Sequence, residues 1–438
     1  MKPNVILLSI DALRADHVSF HGYERETTPF LDTLADEAIT CSRAYATSSH
    51  TRESVPSLLT GHHPCTFAKN GYRLTETSIA EHLSEKGYAT AAFHSNPYVS
   101  RAYNFDSGFD VFDDDLLISS NKLFALAQRA LDKFLLNKGE YHARASEINR
   151  KSLDWLSSTD GPFFLWNHYM DVHGPYNPPN GYNKYASRSL TNIEAQALYQ
   201  KCVKRPEDMT NEDKQLLVDL YDGEITYLDD YLAEFVESLE ASGLLDETLL
   251  VITSDHGDAF GEHGYYAHPR YLHDELLHVP LLLSPPGGAS QRIDSLVSTL
   301  DILPTILECI GDNDGNLYGS HVIESGGNVS VDGHTGYALS SAHGKDDNES
   351  IRRFSIRTSE WSYFISRDVD SREIEDRRAK NESSVEDKEV EPSDCPTAIR
   401  SVLLEHSMEC LGEGGQFVVD EANTDPAVEQ RLEELGYK

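Results

Sequence analysis

Val5-Ile-Leu-Leu-Ser-Ile10 is an almost unbroken apolar run that stops on a carboxylate, Asp11. A strand with one wet face alternates apolar and polar residues. This one does not, and so predicts a strand buried on both faces of a parallel sheet. In such sheets chemistry collects outside the C-terminal ends of the strands, where Asp11 falls. Thr248-Leu-Leu-Val-Ile-Thr253 repeats the pattern and is followed by Asp255. Two strands thus deliver Asp11 and Asp255 to one edge.

Working outward, Thr28 and Pro29 open an apolar-periodic segment (Phe30, Leu31, Leu34, Ile39), which predicts a helix with Thr28 as N-cap and Pro29 at its first position. Ser78 to Lys86 predicts another helix, closed by Gly87 and followed by a strand, Ala89 to Phe93. Phe163 to Trp166 and His278 to Leu283 predict further strands. Leu216 to Leu239 predicts a long helix with one apolar stripe, and Leu300 to Ile310 a helix with Pro304 in its first turn. After about Gly344 the pattern changes to short strand-like pieces (Arg353 to Arg357, Trp361 to Ile365). A mixed-charge run over 367–391 follows, read as a solvated, mobile loop, and then a last helix, Pro426 to Leu435. The expected fold is α/β: a large mixed, mainly parallel sheet sandwiched by helices over residues 1–344, and a small C-terminal α+β subdomain over 345–438.

The 438 residues suffice for a sizeable core. With 37 basic against 73 acidic residues the net charge is −36, spread along the chain, which argues against nucleic-acid and anionic-lipid partners. An acidic surface with only 15 lysines resembles proteins of extreme halophiles, where concentrated salt shortens the Debye length to about 3 Å or less. The six cysteines (Cys41, Cys65, Cys202, Cys309, Cys395, Cys410) show no C-x-x-C pair and read as reduced and mostly buried. The apolar stretch at Val5 is too short for a signal segment or a membrane span, so the expectation is a cytoplasmic protein with no integral membrane segment.

Three segments carry the chemistry. The first is Ser9-Ile-Asp11-Ala-Leu-Arg14-Ala-Asp16-His17. The second is Thr51-Arg52-Glu53-Ser54-Val-Pro-Ser-Leu-Leu-Thr-Gly61. The third and most specific is Thr253-Ser-Asp255-His256-Gly257-Asp258-Ala-Phe-Gly261-Glu262-His263-Gly264. Five of the 19 histidines (His256, His263, His268, His273, His278) fall within 23 residues, where even spacing gives about one, and this excess favours a site. Together the segments resemble the sulfatase family of the alkaline phosphatase superfamily, from Val5 to about Ile365.

The resemblance implies a metal-dependent hydrolase of phosphate-type (phosphodiester or phosphonate) or sulfate esters. It places Asp11, Asp255, His256 and the Thr51 hydroxyl around one divalent metal, for which one imidazole among oxygens suits Mn, Zn or Mg better than Ca. The family nucleophile lies ten residues before Gly61, at Thr51. Sulfatases proper carry there a Cys or Ser that becomes formylglycine, and threonine cannot. The resemblance therefore implies a hydroxyl nucleophile without formylglycine, as in the phosphodiesterase-like branch. His173, in Tyr169-Met-Asp171-Val-His173-Gly-Pro-Tyr176, and His268 are implied as contacts to the ester or acids for the leaving group. The family's K-x-H is missing from Ala91-Ala-Phe93-His94-Ser95-Asn96, which weakens a sulfate pocket and leaves Asn96 as a hydrogen-bond donor to substrate. Arg14 and Arg52 are the nearest basic candidates for a bound anion. The expected substrate is a small-molecule, glycan or lipid ester. A head-group transferase using the same residues, and a non-catalytic metal- or anion-binding protein of the same fold, remain as alternatives. Oligomeric state is not legible.

Overall fold

The computed structural model describes residues 2–115, 142–312, 317–324, 328–330, 335–345, 348–382 and 389–412. The main sheet uses β1 (Asn4–Ile10), β2 (Ile39–Tyr45), β3 (Ala89–Phe93), β4 (Val111–Asp113), β5 (Phe163–Tyr169) and β6 (Thr248–Ser254). After a short hairpin, β7 (Ala259–Phe260) with β8 (Tyr266–Ala267), it is completed by β9 (His278–Ser284) and β10 (Gln291–Ser298). Their order is β10-β2-β9-β6-β1-β5-β3-β4. β1 lies parallel to both β5 and β6, and β5 to β3, whereas β9 runs antiparallel to β6 and to β2. The two reversals at β9 return β2 to the direction of β1. The C-terminal ends of β1, β2, β3, β5 and β6 therefore share one edge.

β1 is buried along its whole length, as its composition predicts. Val5 and Leu7 enter one apolar core with Val55, Leu58, Ile79 and Ile306; Ile6, Leu8 and Ile10 enter the other with Leu31, Ile148, Leu220 and Leu232. Each face of the sheet is thus roofed by helices. On the first face lie α2 (Thr51–Thr60) and α4 (Ile79–Glu85), which follow α1 (Pro29–Glu37) and, for α4, the short α3 (Pro64–Ala68). The second face carries α1, the helix Ala145–Leu156 and the long helix Asn211–Ala241.

Local chemistry sets the helix starts. Ser78 accepts from the Glu81 N–H at 3.2 Å while Glu81 accepts from the Ser78 N–H at 2.9 Å, a reciprocal cap on α4. Thr28 holds the N-cap position of α1, but its side chain does not cap. Asp229 of the long helix does so instead, accepting from the N–H groups of Phe30 (2.8 Å) and Leu31 (3.1 Å). The segment expected as one helix from Leu300 is a short 3-10 turn, Thr299–Asp301, that leads into the helix Ile302–Cys309.

A second sheet, all antiparallel and in chain order, consists of β11 (Tyr337–Lys345), β12 (Asn348–Thr358), β13 (Trp361–Asp368), β14 (Ile374–Asn381) and β15 (Glu389–Val390). The helix Thr397–Leu411 packs Leu403 against Phe354 and Tyr363. Two expectations are corrected here. The described part of the charged run over 367–391 is not a solvated loop, because β14 and β15 lie in it. Ala379 of β14 is buried, while Arg378 and Lys380 pair with carboxylates across its exposed side. The cysteines are not all reduced: Cys65 of α3 and Cys410 of the last described helix form a disulfide across 345 residues, with Cα atoms 5.3 Å apart. No local spacing announces a pair that only the tertiary fold brings together. The helix expected from Pro426 lies outside the described residues. Among those described, no helix is long and apolar enough to cross a membrane.

β11 also ties the second sheet to the loop between β2 and α2. Ser340 Oγ donates to the Ala46 carbonyl (2.8 Å), the Ser341 N–H to the Thr47 carbonyl (2.9 Å), and the His343 N–H to Glu53 (3.0 Å).

Candidate active site

The shared edge gathers the polar residues that the buried strands cannot place elsewhere. Asp11 follows β1, Asn96 follows β3, His168 lies near the end of β5, and Asp255 and His256 follow β6; all are fully buried. Thr51 is the first residue inside α2 and points its hydroxyl at this group. Its Oγ1 lies 3.4 and 3.3 Å from the two Asp11 oxygens and 3.1 Å from His256 Nε2. The helix cap is His50, whose Nδ1 accepts from the Arg52 N–H at 3.2 Å, so Thr51 is not occupied as an N-cap. Gly61, with φ +67°, ends α2 in the left-handed conformation that favours glycine.

Asp11 is the hub. Asn96 Nδ2 donates to its Oδ2 at 2.7 Å, His168 Nε2 lies 3.4 Å from Oδ2, and His256 Nε2 lies 3.5 Å from Oδ1 and 3.6 Å from Asp255. Burial alone would raise the Asp11 pKa, but the imidazoles of His173, His168 and His256 hold it well below the usual carboxylate range. Asp255 is pushed up to about 8 by burial and by the Asp11 charge. Two buried carboxylates facing each other call for a cation. Donor atoms of Asp11, His168 and Asp255 lie within 4.8 Å of one another, and His168 Nε2 is buried without a hydrogen bond. Oxygens with one or two imidazoles are a donor set that fits a divalent ion.

Next to this group lies a second constellation. His268 Nδ1 donates to Asp258 at 3.1 Å, and Tyr176 OH donates to the other Asp258 oxygen. The His268 ring stands 4.8 Å from that of His256 and 4.9 Å from that of His173. His173 donates from Nδ1 to the Gly174 carbonyl (2.7 Å), and burial lowers its pKa to about 4. Burial pushes Asp258 up to about 6.

Asp11, Thr51, Asn96, His173, Asp255, His256 and His268 thus converge. Arg14 is committed elsewhere: its guanidinium donates to Asp16, Glu262 and the Asp258 carbonyl, each within 3.0 Å. Arg52 lies at the rim, donating to the Gly71 carbonyl at 3.3 Å and facing the rings of Tyr72 and Tyr98. His168 escaped the sequence reading because the third strand was expected to stop at Trp166, whereas β5 runs to Tyr169 and pairs His168 with Ser9 of β1. A polar residue in phase with Phe164 and Trp166 is the signal that was there to find it.

The sulfatase family model matches residues 3–312. An arylsulfatase from Clostridium perfringens is 26 % identical over 360 residues, covering 70 % of this chain and 75 % of that protein. Arylsulfatase K from Bos taurus is 23 % identical over 408 residues, covering 83 % and 73 %. The structure superposes on a phosphonate monoester hydrolase from Silicibacter pomeroyi with a TM-score of 0.68 at 20 % identity, covering 94 % of each chain. A protein solved in complex with its substrate D-glucosamine-2-N,6-O-disulfate gives a TM-score of 0.66 at 18 % identity, covering 97 % of this chain and 100 % of that one. With the motifs, the edge they occupy and a family model spanning most of the sequence, the chain belongs to the sulfatase family.

Proposed function

We propose that the protein hydrolyses a phosphate-type ester, phosphodiester or phosphonate in preference to sulfate, with Thr51 as nucleophile. One observation carries this reading: the Thr51 hydroxyl, not a cysteine or serine, lies within 3.4 Å of Asp11 and His256 at the start of a buried helix. Asp11, Asp255, His256 and Thr51, with His168 beside them, would hold one divalent ion of the Mn, Zn or Mg kind. When bound, that ion supplies positive charge that acidifies the hydroxyl and neutralises the ester oxygens.

The chain's own residues do the rest. Asn96 fixes the Asp11 carboxylate, which orients the Thr51 O–H. Thr51 Oγ1, its acidified O–H having released its proton to solvent, forms the new bond to phosphorus as the bond to the leaving oxygen breaks. His268, backed by Asp258, protonates the leaving oxygen; a buried carboxylate behind an imidazole stabilises its cationic form. His173 is unsuited to that task, because burial keeps it neutral and its Nδ1 proton is engaged by Gly174. Water then cleaves the threonyl ester, with His268 taking its proton. The test is turnover of a phosphodiester, a phosphonate monoester and an aryl sulfate by the manganese-supplemented protein, with acid-quenched samples mapped for phosphate on Thr51. A phosphodiester rate above the sulfate rate, with label on Thr51, is expected. Label on Ser48, Ser49 or Ser54, or sulfate as the better substrate, overturns the reading.

A further inference from the structure

One feature of the rim is not used by the chemistry above. In a chain with net charge −36, arginines gather beside the entrance to Thr51. Arg52 directly follows the nucleophile, and its guanidinium carbon lies 5.4 Å from the Tyr72 ring and 6.0 Å from the Tyr98 ring. Its Nε is buried without a hydrogen bond. Arg270, two residues after His268, donates from Nε to Glu53 at 3.1 Å, and its side chain is 25 % exposed. Arg352 of β12 donates to the Tyr72 hydroxyl at 3.1 Å. Among the described contacts of Arg52 and Arg270, one carboxylate, Glu53, faces a guanidinium group. It is buried and already accepts from Ser48 and the His343 N–H as well as from Arg270.

The arrangement has a direction. Glu53 grips Arg270 by Nε, which holds the guanidinium plane in place and does not use its two terminal nitrogens. A fork fixed in this way is suited to bidentate binding of a carboxylate, sulfate or phosphate. His50 links the rim to the centre: its ring lies 5.2 Å from Tyr98 and 5.5 Å from His268. Arg353 braces the same segment from the second sheet, donating to the Arg270 carbonyl at 3.0 Å and covering the Tyr271 ring. An acidic protein gains nothing in solubility from buried and half-buried arginines at one spot. Such a spot attracts an anion.

We propose that Arg270 and Arg52 form a subsite for a second, non-reacting anionic group of the substrate, so that the preferred ester carries a carboxylate, sulfate or phosphate near the bond that is cleaved. This rests on the reading of Thr51 as the nucleophile, which fixes where the reacting group lies. The probes are phenylphosphonate and its carboxyphenyl analogues, titrated calorimetrically into the manganese-supplemented protein. The expected result is tighter binding of a carboxylated analogue by roughly tenfold or more, despite the protein's negative charge. Arg270→Gln should bring that ratio close to one, Arg270→Lys should leave an intermediate value, and Arg52→Gln should lower it independently. Circular dichroism confirms that each variant is folded. If the wild-type ratio is at or below one, if neither phosphonate binds, or if folded Arg270→Gln and Arg52→Gln both keep the ratio, the subsite is overturned. The nucleophile reading fails separately, through unimpaired turnover by Thr51→Ala, whatever the binding ratio shows.

Discussion

At the scale of single residues, Thr51 contributes an oxygen, and the predictions follow that atom. Thr51→Ala should lower turnover by about a thousandfold or more while the protein stays folded and binds manganese. Thr51→Ser should keep part of the activity, since the oxygen remains and only the methyl that restricts its rotamer is lost. Steady-state rates and metal content of the purified variants decide both. Asp255→Asn combined with His256→Ala removes one carboxylate and one imidazole from a strand end, so metal-induced thermal stabilisation should disappear without loss of the fold. A melting shift of wild-type size on adding manganese would place the ion elsewhere. Asp11, Thr51, Asp255 and His256 were legible because each belongs to a contiguous motif. Asn96 followed from its place after a strand. His168, His50 and Arg270 were not legible, because their roles come from strand register and from packing against partners far off in the sequence. Arg14 pairs with nearby Asp16 and also with Glu262, 248 residues later, and only the second contact needs the fold to be seen.

At the scale of elements, two contacts make separate predictions. The disulfide pins the last described helix to α3. Cys410→Ser should reduce stability by about 2–5 kcal/mol in denaturant titrations, since the bond closes a very long loop. The burial of the Asp229 carboxyl beneath the N-terminus of α1 has a pH signature. Burial raises the Asp229 pKa to about 7 in the folded state, against about 3.8 for an ordinary aspartate. Between those values the native state holds the extra proton, so this contribution is fully present below about pH 4 and is lost as pH rises through 7. Unfolding free energies of Asp229→Asn should therefore fall less steeply than those of the wild type from pH 4 to 7, and parallel curves would contradict the assignment. Apolar runs such as β1, β6 and β9 could be read directly because burial on both faces leaves an unambiguous composition. β14 could not, since an edge-side strand with one buried alanine and long charged side chains has the composition of a loop. α2 was visible only through its motif, because Thr51, Glu53 and Ser57 are buried there by function-site packing that no apolar stripe reveals.

At the scale of the whole molecule, the net charge of −36 sets the response to salt. Screening shortens the reach of repulsion between surface carboxylates, so the melting temperature should rise from low to molar sodium chloride. A flat or falling curve would show that the acidic surface is not adapted to concentrated salt. The overall architecture followed from the alternation of buried strands and helices, whereas the tie between the two sheets did not. That tie has a consequence for biosynthesis. The loop that sets up Thr51 receives hydrogen bonds from Ser340, Ser341 and His343, nearly 300 residues later in the chain. All the proposed metal ligands are synthesised by His256, before the segment that braces the loop leading to Thr51. A chain that ends before β11 therefore lacks the contacts that hold the loop leading to Thr51.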